Sequence, residues 1–212
     1  MYAAYAQPGA DGRLHAPSFE RNHGPIRDAL VARLAGLTGR ALEVGSGSGQ
    51  HIGVWAEALP RLDWTPSDPL ARHRASIDAW TQVTGRRVAP ARDLDVTGDW
   101  SAVADLIPLS LIICLNVIHI APWRVAECLI GGAGRALGPD GVLVLYGPYI
   151  VEGRHTGEGN VAFDARLRAE NPEWGLRDTA DVAALAREAG FAAPEILPMP
   201  SDNRLLIFRR KG

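Results

Sequence analysis

The chain has 212 residues, of which 47% are hydrophobic and 22% are charged; this usage excludes a disordered, collagen-like or disulfide-scaffold protein. Lysine and arginine (22) nearly balance aspartate and glutamate (24), and the net charge of −2 argues against binding to nucleic acid. The N-terminus lacks the basic start and apolar stretch of a signal peptide, no apolar run reaches the roughly 18 residues of a membrane span, and Cys114 and Cys128 lack metal-site spacing. We therefore expect a cytoplasmic protein with reduced thiols that binds neither nucleic acid nor membranes.

Short apolar runs alternate with helical patterns along the chain, which is typical of strand–helix units. An irregular arm over residues 1–22 leads into a predicted helix over residues 25–37. Strands are predicted next at residues 41–44, 64–67, 88–94, 111–115 and 142–146. The helices predicted between them cover residues 50–59, residues 70–83, a short segment near Trp100, and residues 122–138. There follow a helix capped by Thr179 and stopped by Gly190, and two strands at residues 195–199 and 205–208.

Strands separated by helices of about 10 to 15 residues indicate a parallel sheet covered by helices on both faces. The last two strands, with no helix between them, are typical of an antiparallel pair. We therefore predict an α/β fold: one domain over residues 1–212, with a seven-stranded, mostly parallel sheet and an antiparallel C-terminal strand pair. The segment over residues 147–178 exceeds an ordinary connection of about 2 to 6 residues and is rich in glycine. We interpret it as a lid-like insertion.

The most informative motif lies between the strand at 41–44 and the helix at 50–59, where glycines occupy positions 45, 47 and 49. Glycine allows a sharp turn and a close approach of a ligand to the backbone, and the free amides at a helix N-terminus face an anion. A dinucleotide-binding loop would have its third glycine at position 50, which is Gln50. The spacing favours S-adenosylmethionine over NAD, and a glycine–serine turn without a ligand is the alternative.

Acidic residues follow the next two predicted strands. Asp68, at the carboxyl end of the second strand, can accept hydrogen bonds from the two hydroxyls of a ribose, although it could instead serve only as a helix N-cap before Leu70. After the third strand, Asp93 and Asp95 are both candidates for the adenine amino group, and we prefer Asp95.

The fourth strand ends in Asn116, with His119 three residues later. This is the carboxyl edge at which open α/β sheets bind their ligands. Asn116 can reach a cofactor by a hydrogen bond, and His119 can take a proton from a hydroxyl, thiol or amine near neutral pH. The alternative for His119 is a structural role.

Eight segments form a recognisable set, at residues 19–26, 45–51, 64–68, 116–123, 146–149, 160–164, 175–178 and 199–203. Together they resemble class I S-adenosylmethionine-dependent methyltransferases, and more closely the branch called domain of unknown function 938 (DUF938), or methyltransferase-like. The resemblance implies a Rossmann-like seven-stranded fold with S-adenosyl-L-methionine as its cofactor. The cofactor-binding residues predicted from these segments and from the strand ends are Arg21, Asn22, Glu43, Gly45, Ser46, Gly47, Gly49, His51, Asp68, Asp95 and Asn116.

Methyl transfer is an in-line displacement, so the alignment of nucleophile, methyl and sulfur in a dry pocket, worth up to about 7 to 11 kcal/mol, outweighs the contribution of a base. We predict transfer to a small-molecule acceptor, because the turn typical of nucleobase amine methylation does not follow Asn116. We predict no metal, because the sequence offers no convincing set of clustered acids and amides for one. The candidate catalytic residues are His119, Tyr149 and His155. A non-catalytic S-adenosylmethionine sensor or interaction protein is the alternative, and an NAD oxidoreductase is a third possibility. The acceptor atom and the oligomeric state stay open.

Overall fold

The computed structural model describes residues 9, 11–84 and 88–212, so the first residues of the predicted arm lie outside the described part of the chain. The helices are α1 (Phe19–Leu34), α2 (Gln50–Ala58), α3 (Ala71–Thr84), α4 (Trp123–Ala136), α5 (Glu158–Glu170), α6 (Thr179–Glu188) and the 3-10 helix Ser101–Leu106. The strands are β1 (Gly39–Val44), β2 (Leu62–Ser67), β3 (Leu109–Leu115), β4 (Leu137–Val151), β5 (Arg154–His155), β6 (Arg177–Asp178), β7 (Glu195–Met199) and β8 (Asn203–Arg209).

The strands form one mixed sheet in the order β2-β1-β3-β4-β8-β7. The pairs from β2 to β4 are parallel, and β8 runs antiparallel to both β4 and β7. The two-residue strands β5 and β6 pair with the far end of β4, which brings the described strands of the sheet to eight. The predicted α/β fold with an antiparallel C-terminal pair is therefore confirmed.

The strand predicted at residues 88–94 is wrong as a continuous element. The segment makes only two isolated parallel bridges to β2, one at Val88 and one at Arg92. Pro90 lies between the bridges and has no N–H to donate to a ladder, which explains the interruption. The segment nevertheless runs along the outer edge of β2, where the predicted third strand belongs.

Three of the differences between the predicted and the observed element ends are informative. The first helix begins at Phe19 and contains Pro25 in its interior, where proline costs a backbone hydrogen bond; the burial of Ile26 and Leu30 on one face offsets that cost. The strand β4 continues to Val151, past the predicted end at residue 146. The N-cap of α6 is Asp178 and not Thr179, because the Asp178 carboxylate accepts the N–H of Ala180 at 2.8 Å.

The hydrophobic core lies on both faces of the sheet. On one face α1 and α2 pack against the strands, with the fully buried indoles of Trp55 and Trp64 between them. On the other face α4 and α6 do so, together with Trp100 from the segment before the 3-10 helix. This arrangement leaves the carboxyl ends of β1, β2, β3 and β4 at one edge of the sheet, where the loops are free to build a site.

The insertion predicted at residues 147–178 is folded against that edge. It consists of the end of β4, the β5 hairpin, α5 and β6, with a small apolar cluster built on Leu167, Trp174 and Leu176. The Arg177 side chain donates to the carbonyl oxygen of Ile118 at 3.1 Å, which ties the insertion to the loop after β3. Among the residues described here, no helix has the length and apolar character needed to cross a membrane.

Two adjacent glycines of α4 provide a matched test of core packing. A Cβ at Gly132 would overlap the indole ring of Trp100, whereas a Cβ at Gly131 would meet nothing closer than an Arg135 guanidinium nitrogen at 3.5 Å. We expect Gly132→Ala to lower the free energy of unfolding by about 1 to 3 kcal/mol through overpacking. Gly131→Ala should raise it by about 0.5 to 1 kcal/mol, because alanine restricts the unfolded chain. Urea unfolding of both variants checks this packing; equal effects would contradict it.

Candidate functional site

A cavity of about 810 Å³ opens at the carboxyl edge of the sheet. Its walls come from the start of α1, the loops after β1, β2 and β3, the insertion, and the turn between β7 and β8. The predicted site residues that line it are Arg21, Glu43, Gly45, Ser46, His51, Asp68, Asn116 and His119. The structure therefore brings together at one cavity residues that are far apart in the sequence.

The glycine loop serves both the cavity and the packing behind it. Gly45 lines the cavity at a φ of +67°, and a Cβ there would lie 2.7 Å from a methyl group of Val117. Gly49 has a φ of +87°, and a Cβ there would lie 2.5 Å from the Cα of Ile77 in α3. Gly45 thus keeps the cavity wall open, whereas Gly49 lets α2 pack closely on α3 and does not itself line the cavity.

The carboxylate of Asp68 joins the loops after β1 and β2. Its Oδ2 accepts the N–H of Gly47 at 3.0 Å, and its Oδ1 accepts the N–H of Leu70 at 2.9 Å. The Nδ1 of His73 lies 3.1 Å from Oδ1. Asp68 therefore holds the start of α3 and the glycine loop in place, and it also lines the cavity. The two interpretations of Asp68, as a cap and as a ligand residue, are compatible in this geometry.

Glu43, the residue one before the end of β1, is 2% exposed. Its Oε1 accepts the indole N–H of Trp55 at 2.7 Å, but its Oε2 has no hydrogen-bond partner within the described chain. Burial raises the pKa of the carboxyl to about 7, although the nearby Ser46 and Trp55 side chains favour the charged form. A buried carboxyl oxygen without a partner at a cavity wall is costly, so this atom points to a ligand that can donate to it.

A chain of buried polar groups lies behind the α1 wall of the cavity. His51 places its Nε2 2.9 Å from the Oδ1 of Asn22. Burial raises the pKa of the nearby Tyr146 phenol, and the side chains of Asn203 and Asn22 oppose that shift. Burial lowers the pKa of His51 to about 3, so the ring is neutral at pH 7. Asn22 does not itself line the cavity, but it supports His51, which does. The sequence segments at 146–149 and 199–203 were informative here, but no role was predicted for Tyr146 or Asn203.

The loop after β3 supplies Asn116 and His119. Asn116 has a φ of +56°, and its N–H donates to the carbonyl of Tyr146 at 2.8 Å. The His119 ring lies against Gly147, where a Cβ would be 3.0 Å from its Cε1. Burial, and secondarily the charge of Arg177, lowers the pKa of His119 to about 3. His119 is therefore a neutral hydrogen-bonding group at pH 7 and a weaker base than an ordinary histidine.

Tyr149, His155 and Asp95 are not in the described lining of the cavity, which argues against the predicted catalytic role of Tyr149 and His155 and the predicted adenine contact of Asp95. Tyr149 lies an even number of residues from Leu143 and Leu145 on β4, so its side chain points to the same face of the sheet as theirs. That face is the core beneath α4 and α6, where burial raises the pKa of Tyr149. His155 faces Asp164 instead, with its Nε2 3.0 Å from Oδ2. Asp95 is exposed, and its carboxylate caps a turn.

The chain matches the sequence model of a family described as "Protein of unknown function (DUF938)" over residues 13–210. The chain belongs to the DUF938 family. The resemblance drawn from its motifs is therefore confirmed at the level of the family.

This DUF938 chain is also similar to solved methyltransferases. An O-methyltransferase family protein from Burkholderia thailandensis superposes with a TM-score of 0.76 at 19% identity, over 89% of this chain and 56% of that one. Human N-acetylserotonin methyltransferase in complex with SAM gives a TM-score of 0.74 at 15% identity, over 92% and 53%. PigF with SAH gives 0.68 at 18% identity, over 88% and 61%. The chain spans little more than half the length of these proteins, and at these identities the likeness shows a methyltransferase fold.

The insertion of the DUF938 chain supplies cavity residues that sequence reasoning missed. Phe163 and Arg166 of α5 both line the cavity, as does Trp174. Asn160 also lines it, and its amide donates to the Thr156 hydroxyl at 2.8 Å, which anchors the start of α5. The available signal in the sequence was that Phe163 and Arg166 lie three residues apart, which places them on the same face of a helix. The insertion does lie at the site, and its closure over a ligand stays a prediction.

The raised pKa of Glu43 makes the stability of the ligand-free protein depend on pH. Its folded pKa of about 7 exceeds the ordinary value of 4.5, so the stability it contributes is complete below pH 4.5 and is lost as the pH rises through 7. The free energy of unfolding of Glu43→Gln minus that of wild type should therefore rise by about 3 kcal/mol between pH 4 and pH 8.

Urea unfolding of both proteins from pH 4 to 8 measures this difference. Subtracting one curve from the other removes the contributions of His51 and His119, whose lowered pKa values have the opposite sign and are common to both proteins. A difference that does not change with pH would contradict the buried, unpartnered carboxyl.

Proposed function

We propose that this DUF938 protein binds S-adenosylmethionine in the cavity and transfers its methyl group to a small-molecule acceptor. The observation that carries the proposal is the buried Glu43, whose Oε2 has no partner in the described chain and which lies two residues before Gly45 of the glycine loop. The methionine part of the ligand has an ammonium group that can donate to this oxygen. The likeness in fold to proteins solved with SAM and SAH supports the same assignment.

The other cavity residues fit the remaining parts of the ligand. Arg21 lines the cavity, and its Nη1 donates to the carbonyl of Pro17 at 3.1 Å; its guanidinium has further N–H groups for the methionine carboxylate. Oδ2 of Asp68 accepts the N–H of Gly47 and has a second lone pair for a ribose hydroxyl. Asn116 lines the cavity from the loop after β3. Together these groups complement a ligand with a zwitterionic end and a ribose.

The bound cofactor supplies a methyl group activated by a positively charged sulfur. The residues of the chain then act by position: the loops after β1 and β3 and helix α5 enclose the reactants, and alignment of this kind is worth up to about 7 to 11 kcal/mol. The neutral His119 accepts a hydrogen bond from the acceptor and orients it. A base usually adds roughly 10² to 10⁴-fold, most when its pKa lies near the working pH, so the low pKa of His119 makes positioning its main contribution.

That same low pKa favours a second candidate function, a protein that binds S-adenosylmethionine without transferring its methyl group. Tyr149 and His155, the other candidate bases, lie away from the cavity. Formation of S-adenosylhomocysteine from S-adenosylmethionine in the presence of small acceptors with hydroxyl, thiol or amine groups supports the enzyme. Cofactor binding with no turnover of any acceptor supports the sensor.

The test compares two ligands, S-adenosylhomocysteine and 5′-methylthioadenosine, because the second lacks the amino-acid end. Arg21→Gln and Glu43→Gln should each weaken S-adenosylhomocysteine by about 10 to 100-fold, since each removes a charge-assisted hydrogen bond, and should leave 5′-methylthioadenosine unchanged. Asp68→Ala should weaken both ligands. Calorimetric titration of the purified chain gives the dissociation constants.

The control for these variants is Arg27→Gln, because Arg27 lies on the same helix as Arg21 but pairs with Asp28 and does not line the cavity. It should bind both ligands as wild type does. Binding of NAD with no binding of S-adenosylhomocysteine would refute the proposed cofactor. Equal losses for both ligands in Arg21→Gln would refute the role of Arg21.

A further inference from the structure

The charged side chains of the described lining fall into two groups at different places in the cavity. Glu43 and Asp68, the two carboxyl groups of the described lining, lie at the carboxyl ends of β1 and β2, and Arg21, assigned above to the methionine carboxylate, belongs with them to the donor half. The opposite half is built by the loop after β3 and by the insertion, and the charged side chain that the described lining contributes there is Arg166. With the donor held by Arg21, Glu43 and Asp68, the acceptor meets a wall with a cation and no described carboxylate.

The side chains of this second half are ordered from the cavity mouth to its floor. Arg166 is exposed, and its guanidinium carbon lies 5.1 Å from the centre of the Phe163 ring. The Phe163 ring in turn lies 5.8 Å from the His119 ring at an angle of 68°. His119 is 4% exposed and sits beside Asn116 at the end of β3. A guanidinium, an apolar ring and a buried imidazole thus succeed one another along one wall.

Apolar surface completes this half. Trp174 is 9% exposed and lines the cavity from the segment after α5, and Ile120 lines it from the loop after β3. Trp174 belongs to the small core of the insertion, which Phe163 and Ile120 cover. A flat apolar body fits between such side chains, while a charge at its outer end would be next to Arg166.

We propose that the acceptor is a small anionic molecule: an aromatic or similarly flat body that lies along Phe163 and Trp174, with a carboxylate or phosphate group held by Arg166. Its reacting group then points to the buried end, next to His119. The anionic group is not the nucleophile, because a guanidinium on the attacking oxygen would stabilise the reactants more than the transition state. This inference rests on the proposed function for the donor half.

The experiment titrates the full chain, saturated with S-adenosylhomocysteine, with four probes: 4-hydroxyphenylacetate, phenyl phosphate, the neutral 4-hydroxyphenylacetamide and the cation tyramine. Wild type should bind an anionic probe about tenfold more tightly than the amide, and the two anions show whether a carboxylate or a phosphate is preferred. Arg166→Gln should abolish this preference, and Arg166→Glu should reverse it towards tyramine. Ligand-observed NMR gives the affinities.

The control is Arg124→Gln, which removes an exposed arginine of α4 that does not line the cavity; it should keep the preference of wild type. Every variant should still bind S-adenosylhomocysteine, which shows that it is folded and that the donor half is intact. Normal binding of S-adenosylhomocysteine with no preference for anions, or with a preference that survives in Arg166→Gln, overturns the anionic acceptor alone. Failure of wild type to bind S-adenosylhomocysteine overturns the proposed function itself.

Discussion

The parallel pairing of four strands brings the strand ends that line the cavity to one level. In register, Val44 of β1 faces Ser67 of β2 and Cys114 of β3, and Cys114 faces Leu145 of β4. The residues after these positions therefore emerge at one edge, and they include the glycine loop, Asp68, Asn116 and Gly147. The N–H of Ser46, which donates to the Ser67 carbonyl at 2.9 Å, extends this alignment beyond the strands themselves. Without equal strand ends, these segments would not meet.

The polar groups placed at this edge reduce the stability of the ligand-free fold. Glu43, His51 and His119 are each buried nearly completely, and burial shifts each pKa towards the neutral form. Burial of an ionisable group costs free energy unless a partner satisfies it. His51 has Asn22 as its partner, whereas Glu43 retains one oxygen without one. The buried His51 is thus satisfied by Asn22, whereas the buried Glu43 keeps an oxygen without a described partner at the place where the proposed ligand binds.

The insertion converts an open sheet edge into a two-sided cavity. Its position depends on backbone contacts as much as on packing: Gly175 donates its N–H to the His119 carbonyl at 3.0 Å, and Asp164 accepts the N–H of Leu176 at 2.8 Å. Because His119 is held both by the sheet and by the insertion, the floor and the outer wall of the cavity are connected. This connection explains why α5 carries residues of the site although it lies far from the glycine loop in the sequence.

The sequence by itself determined the alternation of strands and helices, the glycine loop, and the placement of Asp68, Asn116 and His119 at strand ends, because these depend on local spacing and on where a strand stops. It could not determine which way Tyr149 faces, since that depends on how far β4 continues and on side-chain parity along it. It could not show that Asp164 engages His155, because that partner is chosen by how the insertion folds. The turn that Asp95 caps is local, since its partner Thr97 is only two residues away. The roles of Phe163, Arg166 and Trp174 were likewise decided only by tertiary structure, since the docking of the insertion brings them to the cavity.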